Sequence, residues 1–333
     1  MKKLTKKTLM AIFALVLAVV ALGTTSYAWF TIGNTAKVDT FTLDVQGGEG
    51  LEVAYAKDGY VASELSYRAV LTSSDIFAGL VQDYGITGSA PADDFKAAFK
   101  LAAVTSVDGK AFTRLIGSTQ STLDLESIAD LHDKDNGVLQ FNLRFRTKAA
   151  TEAGQESSTV KLIWDSYNLT STGVQWAPEI TFNNGHETVN KGTTGTYKAE
   201  NAARMSITDA NNVSTVSVFE KEGVVGENKK LSNGTIDWST GAHYYWNQMT
   251  GLNLETKFNT GFGGGTDPYT AAATIHELGT GVEAATFGSK QGDGYRYAEI
   301  TIRVYIEGFD NEAYNAILGD TLQVAFGFKF AIS

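Results

Sequence analysis

The stretch TLQVAFGFKFAI, residues 321–332, decides the fold of this 333-residue chain. Apolar side chains occupy every second position, namely Leu322, Val324, Phe326, Phe328 and Phe330. This period of two is typical of a β-strand with one buried face. Because five apolar side chains on one face need a second apolar layer above them, the stretch predicts a strand packed against an opposing sheet.

Other segments show the same alternation. One face of residues 297–309 carries branched apolar side chains, with Tyr305 and Glu307 on the opposite face, and residues 139–146 (LQFNLRFR) alternate apolar with polar side chains. Residues 160–164 are predicted to partner 139–146. Long strands joined by turns, without a β-α-β rhythm, predict an all-β fold, namely an antiparallel sandwich of jelly-roll type.

Near the amino terminus, residues 41–45 and 51–55 also alternate, and the glycine-rich connection between them makes them a candidate hairpin.

Two segments interrupt the strand pattern of the single domain expected over residues 29–333. Residues 61–132 are predicted to be a partly helical insertion that caps the sandwich, with one helix around Phe95 and a second at residues 122–131. Residues 234–294 are rich in glycine and aromatic side chains and are predicted to be a loop-rich insertion.

Residues 1–28 have the three parts of a secretory signal helix. Four lysines precede the uncharged run LMAIFALVLAVVAL (9–22), and small residues at Ser26 and Ala28 predict cleavage between Ala28 and Trp29. The apolar run is shorter than the roughly 20 residues that span a bilayer. Export is therefore predicted, with the membrane a partner only through this segment before cleavage. An uncleaved amino-terminal anchor is the alternative.

The composition restricts the function. The chain has 37 acidic and 27 basic residues, and four of the basic ones lie in the leader. An acidic mature surface disfavours nucleic acid and anionic membranes as partners. There is no cysteine, which excludes disulfides, thiolate zinc sites and a cysteine nucleophile.

No motif supports catalysis. The segment HELGT (276–280) begins like a zinc-protease helix, but Thr280 stands where the second histidine is needed. The segment DKDNG (133–137) is similar to a calcium loop, yet His132 and Lys134 would occupy its first and third positions. No serine lies in a Gly-x-Ser-x-Gly elbow. We therefore expect no enzyme activity, no metal ion and no cofactor.

Two aromatic side chains are candidates for glycan contact. Trp238 and Trp246 lie in the glycine-rich segment, and an exposed indole stacks well on a sugar ring. Burial of both rings in the core is the other interpretation, and it is the one we favour.

The two ends of the chain resemble a known family. The segment SYAWFT (26–31), followed by a polar spacer and VDTFTLDV (38–45), resembles exported proteins processed by the SipW type of signal peptidase. These are the TasA and camelysin-like proteins of Gram-positive bacteria. The segment VYIEGFD (304–310), followed by AILGD (316–320) and a final strand, is similar to the closing part of such proteins.

The resemblance implies a jelly-roll domain secreted to the cell surface or biofilm matrix. TasA-like members polymerise into fibres in which the amino-terminal segment of one subunit adds a strand to the next. Here the donor would be Trp29–Asp39, with Phe30, Ile32 and Val38 as inserted side chains. Camelysin relatives are classed as metalloendopeptidases, but no zinc ligand carries over to this sequence. The long middle of the chain departs from compact TasA.

The sequence therefore favours a secreted structural subunit of an extracellular fibre, biofilm matrix or cell surface. Its partners would be copies of itself, with other matrix proteins or cell-wall glycan as further candidates. The alternative is a cell-surface adhesin or glycan-binding module that uses Trp238 and Trp246. A camelysin-like metalloendopeptidase is the third hypothesis.

Overall fold

The computed structural model describes residues 37–44, 50–106, 108–151, 157–185, 187–210, 212–220, 238–258, 275–277 and 282–333. The strands are β1 (Lys37–Asp44), β2 (Leu51–Tyr55), β3 (Val70–Leu71), β4 (Ala103–Val104), β5 (Thr113–Ile116), β6 (Asp124–Ser127), β7 (Leu139–Thr147), β8 (Val160–Ser171), β9 (Val174–Trp176), β10 (Phe182–Asn183), β11 (Thr188–Val189), β12 (Gly195–Tyr197), β13 (Ala203–Asp209), β14 (Asn212–Glu220), β15 (Ile275–Glu277), β16 (Glu283–Thr286), β17 (Arg296–Glu307) and β18 (Thr321–Ile332). The helices are α1 (Ser73–Asp83), α2 (Pro91–Ala98), α3 (Gly241–Thr250) and α4 (Leu254–Phe258). Short 3₁₀ turns lie at Ala62–Glu64, Ala199–Asn201 and Asn315–Gly319.

Most strands belong to two sheets. In the described part of the chain, one sheet has five strands in the order β16-β8-β18-β1-β3. The other has seven, in the order β15-β14-β13-β17-β7-β2, with β4 beside β17. Neighbours are mostly antiparallel, but β1 runs parallel to β18, β15 to β14 and β4 to β17. The prediction of a strand-rich chain with antiparallel sheets is confirmed.

The alternating segments meet in the core. In β7, every second side chain is buried. The ring centroids of Phe141 and Phe326 are 6.3 Å apart, and those of Phe145 and Phe328 are 5.1 Å apart, which joins β7 to β18. The two sheets therefore face each other across a layer of aromatic side chains. Phe330, nearer the end of β18, is only partly buried.

Two predicted strand pairings are wrong. Residues 51–55 were a candidate hairpin with residues 41–45, but β2 lies beside β7 whereas β1 lies beside β18 in the other sheet. The expected partner of β7, the strand that begins at Val160, pairs instead with β18 and β16. Alternation identifies the face of a strand that is buried, but it does not identify the neighbour, because every half-buried strand has the same pattern.

The first predicted helix of the 61–132 segment is confirmed as α2, which has Pro91 in its first turn and Phe95 fully buried. The preceding helix, α1, begins at a capping box. The Thr72 side chain accepts a hydrogen bond from the Asp75 backbone N–H, and the Asp75 carboxylate accepts one from the Thr72 N–H. The buried side chains of both helices belong to the main core, so this segment packs onto the sheets.

The second predicted helix, at residues 122–131, is wrong. Residues 124–127 form β6, which pairs antiparallel with β5. Leu115 pairs with Leu125, and a 2.7 Å ion pair joins the neighbouring Arg114 to Glu126. Cross-strand pairs of this kind stabilise a hairpin, whereas a helix as short as this one is only marginally stable through its own hydrogen bonds.

The outer face of β17 is partly covered. Phe112 packs edge-on against Tyr305 with ring centroids 4.9 Å apart, and Val104 and Val138 complete this small cluster. Tyr305 and Glu307, on the polar face of the sequence pattern, are consequently 1% and 0% exposed.

The described part of residues 234–294 contains more regular structure than a loop-rich insertion implies. It includes α3, α4, β15 and β16. Helix α3 ends where Gly251 adopts a left-handed conformation, with φ 69°, which glycine reaches without steric cost. Within the described ranges, no helix combines the length and the apolar character needed to cross a bilayer.

Candidate functional site

Strand β1 occupies a slot between the last strand in chain order and a short edge strand. It runs parallel to β18 from the pair Lys37–Thr321 to the pair Asp44–Gly327. On its other side, β1 pairs with β3 only at Leu43 and Asp44. Among the described residues, the first part of β1 therefore has a partner strand on one side only.

The β18 side of this slot is apolar. Leu322, Val324 and Phe326 of β18 are 0%, 2% and 3% exposed. They pair in register with Val38, Phe41 and Leu43 of β1. The strand that fills the slot therefore lies next to side chains of the main core.

Most of the predicted donor segment lies outside the described residues. Trp29, Phe30 and Ile32 are among the residues not described, and so is Ala28 before the predicted cleavage. Val38, the fourth predicted contact residue, lies in β1 opposite Leu322 of its own chain. The slot is thus filled by the chain's own amino-terminal strand.

The two candidate glycan-contact residues are buried. Trp238 is 9% exposed and Trp246 is 7% exposed, and both belong to the main core. The Trp238 ring packs edge-on against His243 and Phe309, with centroid distances of 5.3 and 6.4 Å. Neither indole offers the open face that stacking on a sugar requires, so their packing matches the core interpretation.

The histidine-containing motifs adopt other structures. His276 lies in β15, which pairs with β14, and not in a helix. His132 contacts the carboxylate of Asp58 through its Nδ1 atom at 2.8 Å. In the neighbouring turn, the Asp133 carboxylate accepts a hydrogen bond from the Asp135 N–H. In the part of the chain that the structure covers, no three His, Asp or Glu side chains converge as a metal site would require.

A cation–aromatic ladder covers part of the outer face of β7. The Arg146 guanidinium lies between the rings of Tyr67 and Tyr295, 4.2 and 4.4 Å from their centroids. Arg144 lies 4.5 Å from the ring centroid of Tyr297. Through these contacts, Tyr67, which precedes β3, and Tyr295 and Tyr297, at the start of β17, pack against the outer face of β7.

A buried ion cluster closes the end of β17. Arg204 lies 3.1 Å from the Glu307 carboxylate and 3.3 Å from that of Asp310, and all three residues are nearly inaccessible to solvent. Burial raises the pKa of Glu307 to about 7, although Arg204 lowers it. Two carboxylates share one guanidinium, so protonation of one leaves the cluster neutral.

A cavity lies beside an aromatic cluster, between residues 184–201 and the segment that carries Glu312 and Tyr314. Its base includes Tyr314, which is 3% exposed and packs against Trp176, Phe182 and Tyr197. No sequence pattern marks this site. Its rings come from separate segments, none of which has a characteristic motif, so no local signal predicts that they meet.

No family model, curated protein or solved structure matches this chain. The function is therefore inferred from the residues and contacts described above.

Proposed function

We propose that this protein is a secreted, non-enzymatic structural subunit of an extracellular fibre or surface matrix, and that copies assemble by exchanging their amino-terminal strands. In this proposal, the two facing sheets form a sandwich of jelly-roll type. The position of β1 beside β18 is the observation that supports it most strongly. Strand addition uses the unpaired backbone N–H and C=O groups at the edge of a strand, together with an apolar surface beside them.

The slot suits an exchangeable strand. Its β18 wall is apolar at Leu322, Val324 and Phe326, so any strand that fills it covers core side chains. Its second wall, β3, contributes only two pairs, at Leu43 and Asp44. A strand held mainly from one side breaks fewer backbone hydrogen bonds when it leaves than a strand paired along both edges.

The connection after β1 also favours exchange. Residues 45–50 include Gly47, Gly48 and Gly50, and they link two strands that lie in different sheets. Glycine-rich sequences are typical of linkers that permit more than one arrangement, so this composition is compatible with β1 in its own slot or in that of a neighbour. Because both arrangements form the same pairs with β18, the balance between them depends on protein concentration and linker strain.

The donor then comprises β1 and the residues before it. This includes Trp29–Asp39 of the sequence-based hypothesis, with Phe30, Ile32 and Val38 as its apolar side chains. Since a signal peptidase would expose Trp29 as the new amino terminus, cleavage after Ala28 would release the donor only after export.

Disulfide trapping tests the exchange directly. The chain has no cysteine, and Thr42 pairs with Ala325, which is partly exposed. Neighbouring strands lie within the Cα separation that a disulfide needs. After oxidation of filaments formed by the double variant Thr42→Cys/Ala325→Cys, exchange predicts a ladder of covalent multimers on a non-reducing gel.

A matched control places the cysteines in the pair Asn142→Cys/Thr301→Cys, which lies within the seven-stranded sheet away from β1. This control should run as a monomer from the same filaments. The absence of filaments from the mature protein, or a Thr42→Cys/Ala325→Cys variant that is crosslinked only within each chain in filaments, would contradict the proposal.

Deletion of residues 29–38 provides a second test. We expect the shortened protein to keep its folded tryptophan fluorescence as a monomer and to form no filaments in negative-stain electron microscopy. Filaments of normal appearance from this variant would show that residues 29–38 are not needed for the exchange.

A further inference from the structure

One short segment connects the two sheets at the side where β1 lies. The Val53 N–H in β2 donates a hydrogen bond to the Arg68 carbonyl at 2.7 Å, and the Arg68 N–H donates one to the Val53 carbonyl at 2.9 Å. Two residues further on, β3 pairs with Leu43 and Asp44 of β1. Residues 68–75, here called the strap, therefore reach from the seven-stranded sheet to the five-stranded sheet across the carboxyl end of β1.

The strap is fixed at its far end by the first turn of α1. The Arg68 guanidinium lies 2.7 Å from the Asp75 carboxylate. The same carboxylate accepts hydrogen bonds from the Thr72 N–H and the Thr72 hydroxyl, at 3.0 and 2.7 Å. Asp75 thus joins the two ends of the strap, while Leu71 between them is buried in the main core.

The outer contacts of the strap are weak compared with those of the core strands. The side chains of Arg68 and Val70 are exposed, so the ion pair to Asp75 lies at the surface. The preceding 3₁₀ turn, Ala62–Glu64, has no buried residue. Segments with few buried contacts and exposed hydrogen bonds open locally at a lower free-energy cost than core strands. The strap can therefore open while the two sheets stay folded.

We propose that the strap is a latch that holds β1 in the slot of its own chain, and that local opening of the strap releases β1. Strand β18 pairs with β1 from Lys37 to Asp44, and among the described strands only β3 pairs with its other edge. Separation of β1 from its sheet therefore breaks the pairs to the strap as well. The inference rests on the proposed strand exchange for its role, and it names the contact that regulates that exchange.

Hydrogen–deuterium exchange of the monomeric mature protein, read by mass spectrometry, measures the opening of β1 without requiring filaments. Asp75→Ala removes the ion pair to Arg68 and the two hydrogen bonds from Thr72. It should speed deuterium uptake by the backbone amides of residues 37–44 about fivefold, the usual effect of losing a helix cap. Arg68→Gln removes only the exposed ion pair and should speed it about twofold.

Glu283→Ala is the matched control. Glu283 lies in β16, at the opposite edge of the same sheet, and β8 and β18 separate it from β1. Its carboxylate lies 2.7 Å from the Lys161 ammonium and accepts a hydrogen bond from the Thr286 hydroxyl. This variant loses the same charge and similar contacts, yet uptake at residues 37–44 should not change. Unchanged uptake there in Asp75→Ala, or an equal increase in Glu283→Ala, would overturn the latch.

The growth of filaments separates the latch from the strand exchange on which its role rests. If both hold, Asp75→Ala should form filaments sooner than the unaltered protein, and Glu283→Ala should not. Faster deuterium uptake at residues 37–44 in Asp75→Ala, with no filaments from any of the proteins, would sustain the latch and refute the exchange. Filaments that grow equally fast from all three proteins, with unchanged uptake, would refute the latch alone.

Discussion

Glutamine in place of Glu307 is expected to stabilise the protein above neutral pH and to change its stability little in mild acid. Glu307 is 0% exposed, and its carboxylate accepts a hydrogen bond from the Phe309 N–H beside the Arg204 guanidinium. Asp310 contacts the same guanidinium. Burial outweighs the attraction to Arg204, so the ionised form of Glu307 is disfavoured in the folded protein.

The sign and size of the effect follow from the pKa. Burial raises the pKa of Glu307 from 4.5 to about 7, so between these values the folded state keeps a proton that the unfolded state has released. The contribution of the protonated Glu307 carboxyl to the unfolding free energy is fully present below the pKa that this group has in the unfolded chain. It is lost as the pH rises through the pKa that the group has in the folded protein. A shift of this size corresponds to about 3 kcal/mol of unfolding free energy by pH 8. Glutamine is uncharged at every pH and therefore avoids that loss.

Urea denaturation followed by tryptophan fluorescence at pH 5, 6, 7 and 8 measures the effect. The variant should gain on the unaltered protein mainly between pH 5 and pH 7 and level off at about 3 kcal/mol by pH 8. Glu64→Gln, at an exposed position in the 3₁₀ turn after β2, is the control and should show no such trend. A difference between Glu307→Gln and the unaltered protein that is constant with pH, or a variant less stable at pH 8, would refute the reasoning.

Two further substitutions test the packing of the sheets. Phe328→Ala should lower the unfolding free energy by about 3–5 kcal/mol, because Phe328 is fully buried between the sheets, and Phe328→Leu should cost less; urea denaturation measures both, and a loss below about 1 kcal/mol for alanine would contradict the described core. Arg146→Gln should lower the unfolding free energy by about 1–2 kcal/mol through the lost contacts to the rings of Tyr67 and Tyr295 and the lost ion pair with Glu52. Arg146→Lys should fall in between, since an ammonium keeps the charge but lacks the planar stacking surface. Equal stability of the three proteins at position 146 would show that the ladder contributes nothing.

The strands with the clearest alternation were predictable from the sequence. In β7 and β18, the apolar face is long enough that only a half-buried strand explains it, and Phe141 and Phe326 do lie in the core. The neighbours were not predictable in the same way. Whether β8 lies beside β7 or β18 depends on which complete sheet buries more surface, and no single segment carries that information.

One helix that was not predicted has a local signal in the sequence. The capping box formed by Thr72 and Asp75 marks the start of α1. The segment at residues 122–131 is amphipathic enough to favour a short helix, but pairing with β5 outweighs that preference. Propensity is a weak guide for a short segment that has a strand partner nearby.

The candidate sites depend on contacts between distant parts of the chain. The slot for β1 is formed by β18 and β3, and the cavity beside Tyr314 is lined by residues between 184 and 201 together with Glu312 and Tyr314. The composition, by contrast, restricted the function without any structure, since a chain without cysteine has neither disulfides nor thiolate metal sites.

The place of β18 has a consequence for how the protein reaches its folded state. It is the last strand in chain order, yet it lies inside its sheet with β8 on one side and β1 on the other. A chain that emerges amino end first, from a ribosome or through a translocation pore, therefore cannot complete this sheet until residues 321–332 are free. Pairing of β1 with β18 also joins segments at opposite ends of the described chain, a contact of high order that forms slowly. Completion of the fold is thus a late event, and until then β1 has no β18 of its own chain beside it.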